Sequence, residues 1–106
     1  MKYHNHRIET QDGKFDSEKE FRRWQELKLM ERAGKISNLR RQVTYTLVPS
    51  QKTEDGTLRA VKYIADFVYT KNGSEFVEDA KGVKTPEYVI KKKLMKYLLN
   101  ITVKES

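Results

Sequence analysis

The sequence predicts one α+β domain, an α/β sandwich in which a mixed sheet, built on an antiparallel three-strand meander, is flanked by two helices. Three observations lead there. Two segments carry helix caps with helical spacing, and three segments between them alternate in polarity or run in β-branched and aromatic residues. A short apolar stretch, Ile101-Thr102-Val103, follows the second helix and is expected to join the sheet after that helical crossover.

Asp12-Gly13 is a two-residue hairpin signal between short polar strands. Phe15-Asp16-Ser17-Glu18-Lys19-Glu20 then reads as a helix entrance, with the helix over residues 18–33 and Gly34 at the left-handed position beyond its end. Val43, Tyr45 and Leu47 alternate with polar neighbours, which predicts a strand over residues 42–48. Pro49-Ser50 ends it before a polar loop carrying Asp55-Gly56. Residues 59–69 and 75–81 have strand composition, and Asn72-Gly73 between them is a type I′ turn candidate. Thr85 can cap a second helix that starts at Pro86 and runs to about residue 99.

Composition narrows the function. A chain of 106 residues with 37% hydrophobic side chains can bury one core, so a single domain, 1–106, is expected. Lys and Arg number 22 against 15 Asp and Glu, a net charge of +7, which favours a polyanionic partner, nucleic acid first and an anionic membrane second. Cysteine is absent, which excludes disulfides, thiolate zinc sites and cysteine nucleophiles. Neither a signal peptide nor an apolar membrane span is written in the chain, and the cytoplasm is the expected location.

Counting outward from a two-residue turn at Asn72-Gly73 pairs Val68 with Val77, Asp66 with Asp79 and Ile64 with Lys81. Alternation then sets Ile64, Asp66, Val68, Val77, Asp79 and Lys81 on one face. Like charges across a ladder repel, so two aspartates among Ile and Val call for something positive between them. A divalent cation is one answer; solvation at the sheet margin with Lys81 as ion-pair partner is the other. Glu20 is a second anomaly, since it falls in the apolar stripe of Phe21, Trp24, Leu27 and Met30. It either completes a capping box by bonding back to the Ser17 amide or points at the aspartate pair as a third ligand. Glu78 alternates to the opposite face, beside Phe67, and is excluded from the set.

Ile64-Ala65-Asp66-Phe67, then Asp79-Ala80-Lys81-Gly82, with a helical glutamate at Glu20 upstream, resembles the PD-(D/E)XK nuclease superfamily. The resemblance covers residues 3–98 and is closest to a small phage-borne branch of domains of unknown function. Phage endonuclease I type Holliday junction resolvases are more distantly similar. It implies a restriction-endonuclease-like fold, Glu20, Asp66 and Asp79 as ligands of one or two Mg²⁺ ions with Mn²⁺ able to substitute, and Lys81 as a catalytic lysine. Ala65 stands where the motif has Pro, which leaves the charged set intact. Such a cation takes carboxylate and phosphate oxygens and lowers the pKa of a bound water, the requirement for phosphodiester hydrolysis.

Residues 83–104 hold six Lys and one Glu, so Lys84, Lys92, Lys93 and Lys96 are candidate DNA contacts, with a merely solvated helix face as the alternative. Arg22, Arg23, Arg40 and Arg41 are further cations of unspecified geometry. His4 and His6 read as a polar tail. The leading expectation is a Mg²⁺-dependent DNA endonuclease of phage or prophage type, with branched DNA a candidate substrate. The alternatives are a non-catalytic nucleic-acid-binding module on the same fold and a basic adaptor that binds a protein partner through its sheet edge. Resolution of a junction needs two nicks and hence two chains, so a homodimer through edge strands goes with the branched-DNA reading.

Overall fold

The computed structural model describes residues 7–80 and 84–106. In chain order the elements are β1 (Ile8–Thr10), β2 (Gly13–Phe15), α1 (Glu18–Arg32), β3 (Ser37–Val48), β4 (Gln51–Thr53), β5 (Gly56–Leu58), β6 (Val61–Lys71), β7 (Ser74–Asp79), α2 (Pro86–Leu99) and β8 (Val103–Glu105). The main sheet has the order β3-β6-β7-β8, antiparallel except for the parallel β7/β8 pair. The mixed α+β architecture and the meander are therefore as the sequence predicts. No helix among the described residues is long and apolar enough to cross a membrane.

Local chemistry explains most boundaries. Ser17 Oγ accepts the Glu20 amide, and Thr85 Oγ1 accepts the Tyr88 amide, so each helix begins on a side-chain cap. Asn72 and Gly73 both have positive φ, 51° and 80°, the conformation of a type I′ turn. That turn fixes the β6/β7 register at Val68↔Val77 and Phe67↔Glu78.

Four expectations about the elements need correction. The predicted polar loop after Val48 contains a hairpin, β4/β5, whose turn repeats that of β1/β2. In each, a Thr Oγ1 accepts the Asp amide two residues on and donates to the Gly carbonyl three on: Thr10 with Asp12 and Gly13, Thr53 with Asp55 and Gly56. The turn residues are accordingly Gln11-Asp12 and Glu54-Asp55, and the glycines begin the return strands. Strand β3 starts at Ser37, before the predicted residue 42, and β8 lies two residues later than Ile101 because α2 ends in a left-handed Asn100 and Ile101 packs on the core.

The sheet is covered on both faces. On one side α2 packs Tyr88 and Met95 against Tyr63, Ala65, Val68 and Val77; on the other α1 packs Leu27 against Phe67 and Tyr69. The Tyr63 ring lies against Tyr88, whereas the Phe67 ring stacks on Trp24 at 6.1 Å. Residues four apart in a regular strand share a face, so β6 reverses its alternation between Tyr63 and Phe67. Strand β3 reverses too, since Leu39 packs with the α1 cluster and Val43 with the α2 cluster. The reversal centres on Gln42, whose φ is 52°, and on Asp66 opposite it, between the partners Arg41↔Phe67 and Val43↔Ala65. Ile64, Asp66, Val68, Val77 and Asp79 thus do not share one face: Val68 and Val77 are buried, and Ile64 is 51% exposed.

Candidate functional site

Glu20 enters through the cap of α1. Its own amide is held by Ser17, and its carboxylate reaches back to the Asp16 amide at 3.0 Å, one residue earlier than a Ser17-centred box predicts. Only 3% exposed, it is nonetheless engaged from a second side: Oε2 accepts Gln42 Nε2 at 3.0 Å and lies 3.7 Å from the Arg41 guanidinium. Arg41 is itself fixed, stacked 3.6 Å over the Phe15 ring and donating to the Lys14 carbonyl at 2.7 Å. The β1/β2 hairpin thereby braces the helix entrance.

Asp66 sits at the reversal point of β6. Its Oδ1 accepts the same Gln42 Nε2 at 3.3 Å, and its Oδ2 accepts the Ala80 amide at 2.9 Å. One carboxamide nitrogen therefore bridges a helical glutamate and a strand aspartate. Burial first, and the neighbouring Asp66 charge second, push the Glu20 pKa up; the Asp16 amide opposes them.

Asp79 is fully buried and accepts the Tyr63 hydroxyl at 2.5 Å. It lies on the α2 side with Val77, and Asp66 and Asp79 both act on the Tyr63 hydroxyl. Burial and these acids raise its pKa. Among the described residues no three acidic or His side chains gather closely enough to hold a metal ion together. The pair that does come together, Glu20 with Asp66, is a hard oxygen donor set of the kind Mg²⁺ takes, since that ion needs one or two carboxylates and keeps its remaining waters. Lys81 and the His4/His6 pair lie outside the described residues.

Glu78 points the other way, as alternation predicts. Buried against α1, it accepts Arg23 Nε at 2.6 Å and the Tyr69 hydroxyl at 2.9 Å. Burial alone would raise its pKa, but Arg23 and Tyr69 together bring it below the ordinary value. The α2 lysines occupy a separate place. Lys84 and Lys92 each lie 2.9 Å from Glu105, and Lys96 donates to Asn100 Oδ1 at 2.9 Å. With Tyr88 also donating to it, Glu105 is held down at a pKa of about 2.

Gln42 and Tyr63 are the partners that sequence reasoning missed. Neither was legible: period-two alternation sends Tyr63 to the face opposite Asp79, and only the reversal of β6 brings the two together, while the position of Gln42 opposite Asp66 depends on the length of the unpredicted β4/β5 hairpin. Compared with known families, residues 1–104 match the model described as "Protein of unknown function (DUF1064)". No curated protein and no solved structure matches the chain.

Proposed function

We propose that this chain, which belongs to the DUF1064 family, is a metal-dependent DNA endonuclease that hydrolyses phosphodiester bonds. The reading includes a restriction-endonuclease-like core, a phage or prophage setting and branched DNA as candidate substrate. The observation that carries it is the Gln42 bridge, which keeps two carboxylates of different elements side by side instead of letting them repel apart. The order of helix, antiparallel meander, crossover helix and parallel strand supports it, as does a net charge of +7.

Glu20 and Asp66 would hold Mg²⁺ or Mn²⁺, with Asp79 the third candidate ligand. The bound ion supplies Lewis acidity toward a phosphoryl oxygen and a water of lowered pKa. Arg41 and Gln42 keep the Glu20 carboxylate aimed at the reversal point, and the Ala80 amide orients Asp66. Lys81, two residues past Asp79, is assigned the orienting of the attacking water by the resemblance alone.

A non-catalytic nucleic-acid-binding module is the second reading, favoured by the structural partners that Asp66 and Asp79 already have in the Ala80 amide and the Tyr63 hydroxyl. Incubation with supercoiled plasmid and with a four-way junction, in Mg²⁺, Mn²⁺ or EDTA, separates them. Nicking confined to the metal-containing reactions supports the nuclease; binding without nicking in every reaction supports the module.

A further inference from the structure

Between α2 and the outer edge of β8 runs a groove of about 430 Å³. Its exposed apolar surface is Val89, set over the nearly buried Tyr88 and Val103; its rim is cationic, made by Lys84, Lys92, Lys93 and Lys96. We propose that this groove docks an extended acidic segment of a partner protein, which adds a strand beside β8 and sets its carboxylates against the α2 lysines. The proposal goes beyond the nuclease reading and does not depend on it.

Among the described residues, strand β8 is the last in the sheet order, with a neighbour on one side only. Ser106 N donates to Asp79 O at 3.1 Å, so residues of its parity, Lys104 included, turn their backbone groups to β7. Val103 and Glu105 present theirs outward, and an incoming strand can pair with them.

Charge selects the occupant. Glu105 is the one carboxylate lining the groove, and it is shared by Lys84 and Lys92. Lys93 has no ion pair among the described residues, and Lys96 meets only the neutral Asn100 amide. Two ammonium charges are thus left for a ligand to answer. A second copy of this chain paired edge to edge would bring lysine rim against lysine rim, which disfavours self-association here. A phosphodiester backbone is anionic but has no apolar side to lay on Val89 and the lysine stems. A strand whose side chains alternate between carboxylate and apolar supplies both. The groove also lies two strands from β6, roughly 10 Å across the sheet, and on the face opposite to α1 and Glu20.

The test uses a fluorescein-labelled peptide of alternating Glu and Val, with a Lys-Val peptide and a DNA oligonucleotide as the comparison ligands. Fluorescence anisotropy should show binding of the Glu-Val peptide alone in this groove, weakening as salt rises. Amide exchange should slow at Val103 and Glu105 on binding. Reversal of the two unanswered charges, Lys93→Glu with Lys96→Glu, should weaken the peptide about tenfold or more while the thermal melt remains a single cooperative transition. The proposal is overturned by absence of peptide binding, by equal binding to the charge-reversed variant, or by amide shifts at Val89, Lys93 and Val103 that the oligonucleotide produces and the peptide does not.

Discussion

Gln42 joins backbone strain to site chemistry at a single residue. A non-glycine residue at φ 52° in mid-strand sits in a sparsely populated region that costs on the order of 1–3 kcal/mol. Its side chain offsets that cost by bonding both Glu20 and Asp66. Gln42→Gly, free to adopt the same φ, should stay within about 1 kcal/mol of wild type in urea denaturation. Gln42→Val, β-branched and unable to bridge, should lose about 3 kcal/mol or more. Equal losses in the two variants would mean that the reversal does not depend on this conformation.

Glu20 gives the second test at this scale. Its raised pKa means that the native state binds the proton more tightly than the unfolded chain does. The associated stability is fully present below the ordinary glutamate value and is lost as pH rises through the folded one. Glu20→Gln removes that loss, and its single amide oxygen can keep the bond from Gln42 Nε2 while giving up the one from the Asp16 amide. The variant should therefore stay close to wild-type stability at neutral pH and lose nicking. Retained nicking with a loss of more than about 1 kcal/mol would leave Glu20 only its capping role.

Among elements, α1 is tied to β7 by Arg23, which donates twice to the buried Glu78. Arg23→Met removes one partner of this pair and strands a carboxylate that is 2% exposed, so a loss of about 3 kcal/mol is expected in thermal or urea unfolding. A loss below about 1 kcal/mol would show that water reaches Glu78 readily. The helices, the meander and the Asn72-Gly73 register were legible because caps, turn residues and alternation are local signals. Two things were not. The Thr-x-Asp-Gly turns are written twice in the chain, but three-residue strands carry too little alternation to stand out from a polar loop. The reversal at Gln42 and Asp66 breaks the period-two rule, so counting outward from the turn placed Val68 and Glu78 correctly while wrongly giving Ile64 and Val68 one face. Sequence reasoning named Glu20 and Asp66 but not the amide that joins them.

At the scale of the whole molecule, one chain of 12.6 kDa with a single Glu20–Asp66 pair can make one nick at a time. The branched-DNA reading therefore predicts a dimer, seen as twice that mass by light scattering, and paired nicks on opposed strands of a junction. A monomer that nicks linear duplex as readily as junctions would remove that reading and leave the general nuclease. The excess positive charge acts over the same scale, drawing in a polyanion from a distance. The central claim is that the paired carboxylates do metal-dependent work on DNA, and the most direct measurement compares wild type with Asp66→Ala on supercoiled plasmid in Mg²⁺. Wild type should give nicked circles and Asp66→Ala none, while that variant stays folded by circular dichroism; nicking by Asp66→Ala at the wild-type rate would mean that the paired carboxylates are not the metal site.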